Sequence, residues 1–249
     1  MLAAGYATRL RPLTDDVPKM LLPLAGRPML DYLLDKIREV AEIDELHLVT
    51  NARFAGAFRD WAPDDVTLHD DGTTSNEDRL GAIGDIAFTV ERAGLEGDDL
   101  LVVAGDNLIG YSMPDYVAFW RGKEGSAIAL YECPDPELIK QYGVVELDED
   151  DRVLSFEEKP ERPVSNLAAT AAYLYRAEEV ALLDRYLEEG NSADAPGNYV
   201  AWLHTRAPVY GYRFTGEWLD IGDHSQLLEA DNRMRKRAGL PPRAEYVLD

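Results

Sequence analysis

Leu2-Ala-Ala-Gly5-Tyr-Ala7-Thr-Arg9-Leu-Arg11-Pro-Leu-Thr14, followed by Asp15-Asp-Val-Pro18-Lys19, decides the reading of this chain. A short apolar strand end runs into a glycine turn, and two cations stand ten residues apart. Glycine has no side chain, so such a turn lets backbone N–H groups approach phosphate oxygens. Arg9 and Lys19 then supply a planar, fixed charge and a mobile one, the pair that a triphosphate calls for.

The composition sets the frame. With 249 residues, 46% of them apolar, the chain can bury one substantial core. No stretch reaches the ~18–20 apolar residues of a membrane span, and no signal peptide is visible. Cys133 is the only cysteine, which excludes an intrachain disulfide and makes a reducing cytoplasm the expected setting. The four histidines, His47, His69, His204 and His224, lack the spacing of a zinc site. Forty-seven acids against 25 Lys and Arg give a formal charge of −22. That field argues against nucleic acid as a partner and suits a high-salt cytoplasm, where screening removes self-repulsion. A nucleotide needs a locally positive site in such a chain. Residues 1–30 carry Arg9, Arg11, Lys19 and Arg27 against Asp15 and Asp16 only.

Periodicity places helices over 28–40, 53–61, 81–93, 114–120, 178–189 and 225–237, and strands over 46–50, 100–104, 126–131, 168–175 and 209–214. Gly143-Val-Val-Glu-Leu147, the turn 148–151 and Arg152-Val-Leu-Ser-Phe156 read as a β-hairpin. Residues 190–198, small and polar, read as a loop. Alternating strands and helices in the first half predict a doubly wound, mostly parallel Rossmann-like α/β sheet flanked by helices. Only Met1-Leu2-Ala3 precede the first turn, so strand one is short or its start lies upstream.

Three further motifs carry chemistry. Ala104-Gly105-Asp106-Asn107 ends the most apolar strand, and in an open α/β sheet such a carboxylate faces the cleft. Trp218-Leu-Asp220-Ile-Gly222 sets a second acid between an apolar residue and a glycine. Together Asp106 and Asp220 offer a hard oxygen site suited to Mg²⁺ shared with phosphate oxygens. Phe156-Glu157-Glu158-Lys159-Pro160 follows the hairpin and keeps one of only six lysines.

Taken in order, these motifs resemble the sugar-1-phosphate nucleotidyltransferases, the nucleoside-diphosphate-sugar pyrophosphorylases, over residues 2 to about 230. The resemblance implies one domain over 1–249, with a nucleotide-binding half (1–110) and a sugar-phosphate half (111–249) that includes the hairpin. It implies an enzyme using a nucleoside triphosphate, a sugar 1-phosphate and Mg²⁺ on Asp106 and Asp220. Arg9, Lys19 and Lys159 take the catalytic places. Leu2, Ala3, Ala4, Gly5, Leu80, Gly81 and Asp106 would hold the nucleotide, with Leu80-Gly81 against the base. Tyr142, Gly143, Glu158, Lys159 and Asn166 would hold the sugar phosphate. A homo-oligomer is allowed but not required. The chain departs from the pattern in having Gly5-Tyr6-Ala7 instead of Gly-x-Gly, and in lacking the glutamine pattern and the Glu-Ile-Thr-Asp of the thymidylyltransferases.

Other classes fit less well. A metal-dependent glycosyltransferase needs Asp-x-Asp after a strand, and Asp148-Glu-Asp150 sits in a hairpin turn. An NAD-dependent oxidoreductase needs Gly-x-Gly-x-x-Gly, which Gly5-Tyr-Ala breaks. An inactive regulatory homologue would have lost metal or phosphate ligands that are present here. A cytidylyltransferase acting on choline phosphate or inositol phosphate is the nearest alternative.

Overall fold

Continuous apolar runs become sheet strands here, and apolar stripes at helical spacing become the helices that cover them. A computed structural model describes residues 1–248. The short strands β1 (Pro23–Leu24) and β2 (Arg27–Pro28) precede α1 (Met29–Ile37), β3 (Leu46–Thr50), α2 (Ala55–Trp61) and β4 (Val66–Asp70). Next come α3 (Ala82–Ala93), β5 (Leu100–Val103), β6 (Asn107–Ile109), α4 (Met113–Arg121) and β7 (Ser126–Glu132). The hairpin β8 (Gly143–Leu147) and β9 (Val153–Glu158) leads to β10 (Leu167–Tyr175). Then follow α5 (Ala177–Val180), α6 (Leu183–Glu188), α7 (Pro196–Leu203), β11 (Val209–Arg213), β12 (Trp218–Asp220) and α8 (His224–Arg237).

β3 and β4 are parallel, and Leu2 bridges in parallel to Val49 and to Ala104. A single residue of strand one thus joins two parts of the sheet. β10 runs antiparallel to β5 and β7, while β11 is parallel to β7. The sheet is therefore mixed: β7 and β11 run parallel, and β10 lies reversed between β7 and β5. The hairpin hangs from the start of β10, through Leu167↔Val145 and Ala168↔Val144.

The structure corrects several sequence expectations. Residues 178–189 form two short helices: Tyr199 Oη donates to Glu179 O, and Leu182 N turns back to the same carbonyl. A hydroxyl that competes for a helix carbonyl ends the regular ladder. The expected loop 190–198 gives way to α7 at Pro196, where the ring's fixed φ suits a first helical position. Tyr199, Val200, Trp202 and Leu203 bury that helix. β4 escaped the reading because Thr67, His69 and Asp70 interrupt its apolar pattern, and β6 and β12 are only three residues long.

What the chain holds of strand one is the pair of bridges at Leu2. Beside it lies a cavity of about 510 Å³, lined by Met1, Leu46, Val49, Leu101, Val117 and Trp120 among others. Met1 still follows the ladder: Val49 N donates to Met1 O at 3.1 Å, and the Met1 amine donates to His47 O at 2.8 Å. Burial pushes that amine from 8 down to about 5. Adding three or four β-branched apolar residues ahead of Met1 should carry the pairing into this cavity and move the amine to water. Each buried valine contributes about 1.5–3 kcal/mol, so the thermal midpoint should rise by roughly 5 °C or more. A midpoint unchanged or lowered in melting experiments would contradict the reading of the cavity as a strand slot.

Candidate active site

Beyond β5 the chain turns at Ala104-Gly105 into Asp106. Gly105 N donates to Leu2 O at 2.9 Å, and a Cβ there would stand only 2.9 Å from that oxygen. Glycine is what lets strand one and β5 meet at this point. Asp106 is then held on both oxygens: Lys19 Nζ donates to Oδ2 at 2.7 Å and Asn107 Nδ2 to Oδ1 at 2.9 Å. Lys19, 6% exposed, opens a short 3-10 turn directly after Pro18. A lysine this buried persists because its charge is paired.

The β6–β12 ladder brings the second acid alongside. Asp220 pairs with Asn107, and Ile221 N donates to Asp106 O at 3.2 Å. Burial and then the Asp106 charge push the Asp220 carboxyl from 3.8 up to about 6, while Lys19, Arg9 and Lys159 pull it down. Burial works against ionisation of Asp106 as well, but the charge and hydrogen bond of Lys19 hold its carboxyl below the usual range. Three cations and one acid, drawn from three parts of the sequence, thus act on one carboxyl. Two adjacent carboxyls of which one resists ionisation fit a hard divalent cation. Among the described residues no group of three or more His, Cys, Asp and Glu could hold a metal, so further ligands would come from phosphate oxygens and water.

Arg9 reaches the same place. Its Nη2 lies 3.1 Å from where a Cβ on Gly222 would stand. It is exposed and forms no ion pair among the described residues, whereas Arg11 is paired with Asp15 at 3.4 Å. The amides of Gly5, Tyr6 and Ala7 donate to no protein acceptor among the described residues, which leaves three consecutive donors beside Arg9. Ala3 and Ala4 are buried under this turn, and Asn51 Nδ2 fixes the Ala4 carbonyl at 2.8 Å. The left-handed residue in the turn is Ala7, at φ 44°, and not Gly5; Thr14 Oγ1 pins the Ala7 carbonyl at 2.9 Å.

The segment before α3 packs on the residues before α7. Gly81, at φ +80°, lies so close to Ala193 O that a Cβ would stand 2.6 Å from it. Leu80 beside it stays 37% exposed, and Arg79 pairs with Asp194 at 3.1 Å.

On the hairpin side, Glu158 faces Gly143 across the ladder, and Lys159 N donates to Tyr142 O at 3.0 Å. Lys159 itself adopts φ 50°, with Nζ 3.9 Å from Glu158 Oε1. Burial pushes the Glu158 carboxyl up, and Lys159 opposes the shift. Tyr142 lies edge-on to Trp218 at 4.9 Å, which ties the hairpin to the strand that carries Asp220. Sequence reasoning missed Gly197. A Cβ there would meet Phe156 Cζ at 2.5 Å and Glu158 Oε2 at 2.6 Å, and one on Gly143 would meet Phe156 Cζ at 2.4 Å. Two glycines thus flank Glu158, and the Pro196-Gly197 helix start was the available signal. Asn166, just before β10, is exposed, and its carbonyl accepts from Cys133 N at 2.8 Å. Asp148 caps its own turn, with Oδ1 accepting from Asp150 N and Arg152 N, so the Asp-x-Asp motif is used up in the hairpin.

Residues 1–237 match the family model described as nucleotidyl transferase. The chain is 26% identical over 231 residues to the bifunctional protein GlmU of Methanocaldococcus jannaschii, covering 93% of this chain and 52% of that protein. It therefore spans about half the length of that relative. It is 32% identical over 267 residues to a glucose-1-phosphate thymidylyltransferase of Xanthomonas campestris, covering 96% of this chain and 82% of the relative. The fold is also that of a UDP-glucose pyrophosphorylase solved with UDP-glucose. That match has a TM-score of 0.80 and 20% identity, and covers 95% of this chain and 97% of the other. Among the described residues no helix is long and apolar enough to cross a membrane.

The left-handed Ala7 gives a direct test of the turn. An alanine in that region costs about 1–2 kcal/mol, against about 0.5–1 kcal/mol of extra chain entropy that glycine loses on folding. Ala7→Gly should therefore raise the thermal midpoint by about 2 °C. A lower midpoint would show that the turn does not hold Ala7 as described.

Proposed function

The chain belongs to the nucleotidyl transferase family, and on that footing we propose that it transfers a nucleoside monophosphate from a nucleoside triphosphate to a sugar 1-phosphate. The observation that carries this reading is the convergence of Arg9, Lys19, Asp106 and Lys159 on the Asp220 carboxyl, next to three unengaged amides. The name of the Xanthomonas relative supports a sugar 1-phosphate as acceptor.

In the proposed reaction a phosphate oxygen of the sugar 1-phosphate attacks the α-phosphorus. A new P–O bond forms as the bond to the bridging oxygen breaks, and pyrophosphate leaves with the electron pair. No protein nucleophile is needed, so the chain's task is positioning and charge neutralisation. The Gly5–Ala7 amides and Arg9 take the triphosphate oxygens. Asp106 and Asp220 would hold Mg²⁺, which when bound offsets the charge of the phosphates. Lys19 keeps Asp106 ionised and oriented. Lys159, raised on its left-handed backbone, holds the phosphate of the acceptor, and Glu158, seated against Gly143 and Gly197, accepts from sugar hydroxyls.

ATP, CTP, GTP, TTP and UTP assayed against several sugar 1-phosphates, choline phosphate and inositol phosphate, scored by pyrophosphate release, test the reading. Turnover is expected with sugar 1-phosphates; turnover with choline or inositol phosphate alone would replace it with the cytidylyltransferase alternative. Removing a charged hydrogen bond costs about 1.5–3 kcal/mol, or roughly 10- to 100-fold. Lys159→Ala should raise KM for the sugar 1-phosphate by that factor, and Arg9→Ala should raise KM for the triphosphate. Equal effects of both variants on both substrates would contradict the division of roles.

A further inference from the structure

Asp85 lies in the first turn of α3 with 6% exposure, and the reaction above gives it no task. Its backbone is ordinary helix: N donates to Gly81 O at 2.8 Å, and O accepts from Thr89 Oγ1 at 2.7 Å. Its carboxyl neighbours that of Asp71, whose charge acts on it. Asp85 Oδ1 and Asp71 Oδ2 are buried and receive no N–H or hydroxyl donor among the described residues. The other Asp71 oxygen is fully used, accepting from Thr73 N at 2.7 Å and Thr73 Oγ1 at 2.8 Å. The Thr73 hydroxyl has given its only proton to Asp71, so the Tyr6 hydroxyl, 3.1 Å away, donates to it. Hydrogen bonds therefore run from Asp71 through Thr73 to Tyr6, in the turn whose amides are free, and Asp85 on α3 stands at the Asp71 end of that chain.

Two buried carboxyls in contact, with no cation between them, cannot both be ionised; one proton bridges them. Among the described residues nothing around them supplies a counter-charge. From the glycine turn comes Tyr6, and from the segment before α2 comes Arg53, whose guanidinium lies over Phe54 at 5.3 Å. From the loop comes Asp78, which caps Thr74 and Ser75, and Arg79 is paired with Asp194. On β4, His69 is pushed down by burial and by His47. The charged residues of α6, Asp184, Arg185 and Glu188, are exposed.

We propose that Asp85 is a positioning residue for the nucleotide: carrying the proton it shares with Asp71, it clamps the 71–81 loop to the glycine turn. This rests on the reading of that loop as the nucleobase side of the site. Burial and the Asp71 charge push the Asp85 carboxyl from 3.8 up to about 8, so the clamp is closed at neutral pH and opens as pH rises through that range. Because the folded value is the higher one, the stability this group contributes is complete below its ordinary value. It declines as pH rises towards about 8 and is then constant.

The test compares wild type with Asp85→Asn, which keeps a donor towards Asp71 but does not titrate, and with Asp85→Ala, which removes the donor. Asp71→Asn serves as an independent variant of the same pair. In wild type, KM for the triphosphate should rise several-fold between pH 7 and 9 while KM for the sugar 1-phosphate stays level. In Asp85→Asn and Asp71→Asn the triphosphate profile should be flat, and in Asp85→Ala KM should be high at every pH. A residue that merely fills space would leave the pH profile of Asp85→Asn like that of wild type, and this result overturns the proposal. Melting curves read the proton without turnover: the midpoint of Asp85→Asn relative to wild type should climb from pH 4 to 8. A level difference also overturns the proposal. Absence of turnover in wild type with that climb intact would instead count against the proposed reaction.

Discussion

The Lys19–Asp106 ion pair is the constraint on which the site depends. An ammonium has been taken out of water and set 2.7 Å from a carboxylate at the end of the central strand, in a chain of net charge −22. Desolvating such a pair costs several kcal/mol per ion, and its attraction compensates only when geometry is good. Geometry is supplied from three directions. Pro18 launches the turn that aims Lys19, Gly105 brings Asp106 beside strand one, and the β6–β12 ladder lays Asp220 next to it. A pair so costly contributes little to stability over a hydrophobic substitute, but it fixes charge where phosphates would arrive.

Charge distribution follows the same logic. Residues 1–30 hold four cations and two acids, so the remainder of the chain carries nearly all the negative charge. Within those thirty residues the cations differ in setting. Lys19 is buried and paired, Arg11 is tied to Asp15, and Arg9 is exposed without an ion pair among the described residues. Only the last stands ready for a ligand without first losing a partner. Lys159 resembles it from the other side, 64% exposed by side chain and loosely placed against Glu158. Arg9 and Lys159 come from distant parts of the chain, and both act on the Asp220 carboxyl.

Most of this was legible in the sequence, because the residues concerned sit in short local patterns. Leu100–Val103 reads as a buried strand from its apolar run, and Gly105-Asp106 follows it directly. The Glu158-Lys159-Pro160 step is set by the register of one hairpin. Other features were hidden for physical reasons. The reversal of β10 depends on pairings with β5 and β7, tens of residues distant in the chain, and no local pattern encodes direction. Gly197 matters only because α7 packs on β9, and Asp85 gains its character from Asp71, fourteen residues away. Asn166 matched a motif in sequence, and it stands exposed at the start of β10, between β7 and β8. Ala7 shows the converse: a departure from the expected Gly-x-Gly that the backbone overrides, with alanine forced into a left-handed turn.

The claim that the Lys19–Asp106 pair is kept for phosphate chemistry is tested most directly by a double-mutant cycle. Lys19→Met and Asp106→Asn, singly and together, are measured by melting and by pyrophosphate release. Each single change should lower stability by about 3–5 kcal/mol or, where relaxation admits water, somewhat less, because it strands a buried charge or dipole. The double variant should regain most of that loss and remain inactive. A double variant that turns over substrate, or one no more stable than the single variants, would contradict the account.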